Sequence, residues 1–132
     1  MTIHLTNNES KTFFNIINGE LRCVINEYDD DTGRCPGKQR INDSKHAKSI
    51  IQKWIATQPK IQNTAFINLD VITECDIDLS KPEITYTTKL LNKVIKKLEK
   101  ELAVYNKPYT GYIQNLDNIV TTSKAIIQKL HP

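Results

Sequence analysis

The clearest pattern in the chain is an alternation of apolar and polar residues over positions 65–79. Ile67 and Ile77 stand at odd positions, which are apolar or small, while Asp76 and Asp78 stand among the even, mostly polar positions. A repeat of two residues predicts a strand with one buried and one solvated face. Because 15 residues exceed an ordinary strand, we expect a bulge, a bend or two successive strands here.

Shorter alternating segments predict two further strands, at residues 2–6 and 20–28. Between them, apolar residues at helical spacing predict a short helix that ends at Gly19, since glycine is frequent just past a helix C-terminus. Ile84 and Tyr86 are expected to form a short hairpin partner for the long strand.

Three longer helices are predicted from apolar residues that repeat at helical spacing. The first begins at a cap on Asp43 or Ser44 and ends before Pro59. The second covers residues 88–105, and the third follows Gly111 to the end of the chain. The connection between these last two is short, so they are expected to pack as an antiparallel pair.

This order of elements predicts an α+β fold in a single domain, residues 1–132. We expect two layers, in which helices cover one face of a small, mainly antiparallel sheet. The chain is expected to end in the antiparallel helix pair.

Composition places the chain among ordinary globular proteins, with 39% hydrophobic and 25% charged residues. A net charge of +3 is by itself too small to imply a nucleic-acid or membrane partner. No basic, apolar leader and no bilayer-length apolar run is visible in the sequence. Three widely spaced cysteines suit a reducing compartment. A cytoplasmic protein is therefore expected.

The best candidate site is a basic segment around the predicted loop at residues 29–42. This loop contains several turn-forming residues. It is also longer than most connections, which favours a functional role. Guanidinium groups and the amides at a helix start can hold phosphate or carboxylate. The alternative is a solvated basic segment that Asp29, Asp30 and Asp31 neutralise. The predicted ligand-binding residues are Arg34, Lys38, Arg40, Lys45 and His46.

A second candidate is a row of carboxylates along the long strand. Side chains two residues apart on one strand face lie close enough to share a hard cation such as Mg²⁺, as in metal-dependent nucleases. The simpler interpretation is the wet face of an antiparallel strand. The carboxylates are those of Asp70, Glu74, Asp76 and Asp78.

A third candidate is the pair Arg40 and His46, which five residues separate. This spacing resembles the R-x4-6-H element of HEPN-type ribonucleases, and the resemblance implies metal-free cleavage with His46 as general acid or base. It covers seven residues. HEPN domains are all-helical, whereas residues 65–79 are predicted to be a strand, and Ile41 replaces the polar residue that usually follows the arginine.

A zinc site could combine the cysteines with His4 or His46. The cysteines lack the closely paired spacing that is typical of zinc sites, so this interpretation is not favoured. Cys23 and Cys75 are predicted to be buried thiols. Cys35 stands between basic residues, which favour the thiolate. No cofactor is expected.

Together these features favour a small non-enzymatic binding protein of the inhibitor, immunity or anti-defence type, since such proteins of mobile elements are often of this size and lack catalytic motifs. Its basic segment is expected to engage an anionic partner: nucleic acid, a nucleotide-like ligand or an acidic protein surface. One alternative is a small nuclease that uses the carboxylates or the Arg40 and His46 pair. Another is a structural subunit of an assembly, and the helix at 88–105 is a candidate surface for a homo-oligomer.

Overall fold

The protein is described here from a computed structural model, which covers residues 1–28, 38–61, 67–104 and 111–132, with the backbone alone for 22–28 and 38–42. The described residues form four α-helices, one short 3-10 helix and a two-stranded sheet. In chain order these elements are β1 (Thr2–Leu5), α1 (Asn7–Tyr28), α2 (Lys38–Ala56), the 3-10 helix (Leu69–Val71), β2 (Cys75–Asp78), α3 (Lys81–Val104) and α4 (Gly111–Leu130).

The sheet pairs the first strand of the chain with a strand from its middle. β1 and β2 are antiparallel, with Ile3 opposite Ile77 and Leu5 opposite Cys75. These four side chains are buried, whereas the residues between them on each strand are exposed. Helices therefore cover one face of a small antiparallel sheet, and α3 and α4 pack as an antiparallel pair. Both features confirm the predicted α+β architecture.

The centre of the core is the contact between α1 and α2. Trp54 is fully buried and stacks on Phe14, with ring centroids 4.4 Å apart. Its indole Nε1 donates a hydrogen bond to Ser10 Oγ at 3.0 Å, so the one polar atom of the ring is satisfied. Since both strands and the helices contribute to one buried cluster, this contact fixes α2 against the rest of the molecule.

Two helices begin with the same reciprocal cap, the capping box. At the start of α1, the Thr6 amide donates to Glu9 Oε1 at 2.9 Å and the Glu9 amide donates to Thr6 Oγ1 at 3.3 Å. At the start of α3, Ser80 and Glu83 repeat this arrangement at 2.9 and 3.4 Å. A lysine from another helix pairs with each glutamate: Lys129 with Glu9, and Lys53 with Glu83.

Two of the predicted strands are wrong. Residues 20–28 belong to the second half of α1, which runs through Gly19 without ending. Their alternation is short, and the helical repeat of Phe13 and Ile17 continues through Leu21, so the helix period applies. Tyr86, predicted in a hairpin strand together with its neighbour Ile84, lies in α3, because the capping box at Ser80 starts the helix earlier than expected.

The long strand predicted at 65–79 is also wrong over most of its length. Only Cys75–Asp78 is strand, whereas Leu69–Val71 is the 3-10 helix, and residues 62–66 lie outside the described part. Asn68 accepts a hydrogen bond from the Asp70 amide at 3.0 Å, and this local turn replaces strand pairing. The buried face then shifts, because the even-numbered Ile72 is only 1% exposed.

Helix bounds differ from prediction at their starts. α2 begins at Lys38, so Asp43 and Ser44 lie inside it rather than at its cap. It ends at Ala56, before Pro59, as expected. α3 begins at Lys81 instead of residue 88.

Candidate functional site

The predicted basic segment is only partly described by the structure. Arg34 lies outside the described residues. Lys38 and Arg40 lie in the first turn of α2, and their side chains also lie outside the described part. Lys45 is exposed and His46 is half-buried on the same helix. Lys38 and Arg40 therefore begin a helix instead of lying in a loop, and the convergence of the predicted residues on one anion stays a prediction.

His46 faces the neighbouring helix α3. Its ring lies 6.0 Å from the ring of Tyr86, centroid to centroid, at an angle of 33°. One turn further along α2, Ser49 Oγ donates to Glu83 Oε2 at 2.9 Å. From the first of these contacts to the second, the residue number rises on α2 and falls on α3, so the two helices run antiparallel. The start of α2 therefore lies beside the middle of α3.

A cleft of about 130 Å³ opens where α1, α2 and α3 meet. Carboxylates and lysines both line it, so its charge is mixed and not purely basic. Tyr86 at this cleft is only 7% exposed. The lining residues are Glu20, Asp43, Tyr86, Lys89, Leu90 and Lys93.

The Tyr86 hydroxyl is buried and finds no hydrogen-bond partner among the described residues. Burial raises the pKa of Tyr86 far above its usual value, and the negative charges of Glu20 and Asp43 raise this pKa further. The hydroxyl therefore lies in the field of the two carboxylates that line the cleft and stays protonated as a neutral phenol. Buried polar groups are nearly always paired, which makes this atom an exception.

Next to the cleft, α3 carries a row of exposed lysines, which we call the α3 lysine stripe. Successive members are three or four residues apart, so they share one face of the helix. The stripe spans 12 residues, and its ends lie about 16 Å apart along the helix axis. Its members are Lys89, Lys93, Lys96 and Lys100, with Lys97 at its edge.

Two acidic residues of α3 near the stripe have partners on α4. Glu99 pairs with Lys124 of α4 at 3.4 Å. Glu101 accepts a hydrogen bond from the Tyr112 hydroxyl, also of α4. Within the described part of the chain, no stripe lysine forms an ion pair. The stripe is therefore a local concentration of positive charge on a protein of modest net charge.

The carboxylate row does not form as predicted. Asp70 belongs to the 3-10 helix, and Glu74 precedes β2, so the four side chains do not share one long strand. Asp76 lies 2.8 Å from Nδ1 of His4, and Asp78 lies 3.2 Å from the N-terminal ammonium. Among the described residues, no group of three or more possible ligands could hold a metal ion.

The structure describes only some of the remaining predicted residues. Cys75 is a free, buried thiol, as expected, 3.8 Å from Ser10 Oγ. The side chain of Cys23 and the whole of Cys35 lie outside the described residues. The same holds for the Arg40 side chain, so the pairing with His46 stays a prediction.

Comparison with known proteins gives no relative from which a function could be transferred. No family model matches the chain, and neither a curated protein nor a solved structure matches it. Function must therefore be argued from the residues themselves. None of the helices in the described ranges has the length and apolarity that crossing a membrane requires.

Sequence reasoning missed both the stripe and the cleft. The signal for the stripe was available, because lysines at spacings of four, three and four residues mark one helix face. The cleft had no such signal. Tyr86 was predicted in a strand, and the approach of α2 to α3 is a tertiary contact that no local pattern encodes.

Proposed function

We propose that this chain is a non-enzymatic binding protein, acting in the cytoplasm, whose partner is a nucleic acid held by its phosphate backbone. The binding surface is the α3 lysine stripe, extended by the basic start of α2. The observation that carries the proposal is the set of exposed lysines along one face of α3, unpaired with any described residue.

The geometry of the stripe suits a polyanion better than a single anion. Residues four apart on a helix lie about 6 Å apart along its axis, so consecutive lysines meet consecutive phosphates of one strand. Lysine is a flexible point charge with three donors, which suits backbone contact without base readout. Binding of this kind depends on charge rather than sequence, and it weakens steeply with salt.

The start of α2 adds to this surface. Asp43 of α2 and Lys93 of α3 line the same cleft. The first turn of α2 precedes Asp43 and carries Lys38 and Arg40 in its sequence. Because α2 and α3 are antiparallel, that turn extends toward the side of α3 on which the stripe continues. Local charge, rather than the net charge of +3, is what attracts a polyanion to one face.

The test compares two double variants in binding to a fluorescent single-stranded oligonucleotide over a series of salt concentrations. Lys96→Gln with Lys100→Gln removes two stripe charges, while Lys60→Gln with Lys81→Gln removes two exposed charges elsewhere. Glutamine keeps helix propensity and polarity, so folding is preserved. We expect the stripe variant to lose roughly tenfold or more in affinity and about 1.5 in the slope of log K against log salt. The control variant keeps both.

Equal behaviour of the two variants contradicts the proposal, as does an affinity that does not change with salt. The oligonucleotide is also examined for cleavage after incubation. An intact oligonucleotide supports binding without turnover. Cleavage that survives EDTA and disappears in His46→Ala supports the Arg40 and His46 nuclease instead.

A further inference from the structure

The Tyr86 cleft carries a second inference, which shares Lys89 and Lys93 with the stripe but rests on a different observation. Three buried hydroxyls find no partner within the described part of the chain: those of Tyr86, Thr87 and Ser123. Of these, Tyr86 is the one that lines a described cleft. Its side chain is more than nine-tenths buried, and its hydroxyl lies within the field of Glu20 and Asp43 but hydrogen-bonds to neither. A partner for this hydroxyl therefore has to come from outside the described chain, by way of the cleft that Tyr86 lines.

The chemistry of these oxygens defines that group. Two carboxylates and a phenol that can accept a hydrogen bond surround the space, and a primary ammonium group carries three donors. A carboxylate accepts several hydrogen bonds, so Asp43 can take a further donor beside its existing contacts. The half-buried setting of Glu20 and Asp43 favours an ammonium over water, because the effective dielectric there is lower.

The lysines of the cleft add the opposite charge. Lys89 and Lys93 are exposed residues that line the same cleft, whereas Tyr86 is covered. Neither lysine, nor Glu20, forms an ion pair with a described residue. A ligand with a positive charge alone is attracted by the two carboxylates and repelled by the two lysines, and the reverse holds for a ligand with a negative charge alone. A ligand with both charges is attracted by both pairs.

We propose that this cleft binds a small zwitterion of the amino-acid class. Its ammonium group lies against the oxygens of Tyr86, Glu20 and Asp43. Its carboxylate lies toward Lys89 and Lys93. A volume of about 130 Å³ accommodates several water-sized groups and is below that of a drug-sized site, which suits a molecule of few heavy atoms.

The experiment titrates the ¹⁵N-labelled protein with alanine and two of its derivatives, which differ in charge. L-alanine carries both charges, L-alaninamide carries the positive charge alone, and N-acetyl-L-alanine carries the negative charge alone. We expect L-alanine to cause saturable shifts of the amides around Tyr86. Each probe with one charge is expected to bind about tenfold more weakly, which corresponds to the loss of one favourable charged contact.

Two isosteric variants locate the binding. Tyr86→Phe removes the cleft hydroxyl, and Thr87→Val removes a buried, unpartnered hydroxyl that does not line the cleft. We expect Tyr86→Phe to weaken L-alanine binding roughly tenfold or more, while Thr87→Val leaves it unchanged. Both spectra also report whether the variant is folded.

Three results overturn the inference: no saturable shift from L-alanine, equal binding of the three probes, or unchanged binding to Tyr86→Phe. None of them contradicts the stripe proposal, because that proposal is tested at Lys96 and Lys100, which do not line the cleft. Loss of oligonucleotide binding in the stripe variant, in turn, leaves the cleft intact. The two proposals therefore fail separately.

Discussion

Two buried polar side chains stand one turn apart on α3 and are treated in opposite ways. Glu83 is 3% exposed and accepts hydrogen bonds from Ser49, from Lys53 and from the Ser80 amide. Tyr86 is 7% exposed, and its hydroxyl has no partner among the described residues. Both face α2, so their difference does not come from burial or from the neighbouring element.

The difference separates stability from function along one helix. A carboxylate surrounded by donors fixes the start of α3 and its contact with α2. A buried hydroxyl left without a partner costs free energy on folding. Stability alone gives no reason to keep that hydroxyl, because phenylalanine has the same shape. A ligand that supplies the missing contact gives a reason, and the charges around Tyr86 define which ligand this is.

The largest effect is expected from removing Glu83, the buried side chain that has hydrogen-bond partners. Glu83→Ala removes the capping box, the contact with Lys53 and the acceptor for Ser49 at once. We expect the free energy of unfolding to fall by about 4 kcal/mol, the range for losing one partner of a buried pair together with a helix cap. Denaturant unfolding measures it. Glu99→Ala, at an exposed ion pair, is the control and should change stability by less than about 1 kcal/mol.

Acid provides a graded version of the same test. Burial raises the pKa of Glu83, but hydrogen bonds from Lys53, the Ser80 amide and Ser49 outweigh it and lower this pKa to about 2. A depressed pKa contributes stability that is complete above the unfolded-state value near 4.5 and is lost as the pH falls toward 2. This lowering of the Glu83 pKa corresponds to about 3 kcal/mol in the free energy of unfolding.

The measurement is the free energy of unfolding between neutral pH and pH 2 for the native chain and for Glu83→Gln. Glutamine does not titrate, so the variant should lack the part of the acid loss that Glu83 contributes. Glu9, whose pKa is lowered by Lys129 and Thr6 against the effect of burial, adds a loss of the same sign in both proteins. Parallel curves would show that Glu83 is not the group responsible.

The contrast between these regions also explains what could be read from the sequence. The Ser80 to Glu83 box is a local signature, and the strand pairing needed only the alternation of Ile3 with Leu5 and of Cys75 with Ile77. The architecture was therefore predictable. The helical structure of residues 20–28 was not predicted, because an alternation of a few residues competes there with a helical repeat that begins further upstream.

The candidate site was predictable only as residue types. Basic residues before and within α2 indicated anion binding, and the stripe follows from lysine spacing on α3. The cleft depends on the antiparallel packing of α2 on α3, which brings Asp43 and Lys93 together from 50 residues apart in sequence. The missing hydrogen bond of Tyr86 is a property of that packing and has no counterpart in the sequence.

The smallest effect is expected from removing the hydroxyl of Tyr86, the buried group without a described partner. Tyr86→Phe removes a buried hydroxyl without a partner and keeps the ring that packs near His46. We expect the free energy of unfolding to rise by about 1 kcal/mol, since the cost of burying the hydroxyl disappears and the packing is retained. Denaturant unfolding in buffer free of amines and amino acids measures it.

The same comparison in the presence of L-alanine decides between a packing defect and a binding group. A ligand that binds only the folded native chain stabilises it and leaves Tyr86→Phe almost unaffected, so the advantage of the variant should shrink or reverse. If the advantage stays constant as L-alanine is added, the hydroxyl is only a defect of packing. If Tyr86→Phe is less stable even without ligand, the hydroxyl has a partner in the folded chain, and the contrast with Glu83 disappears.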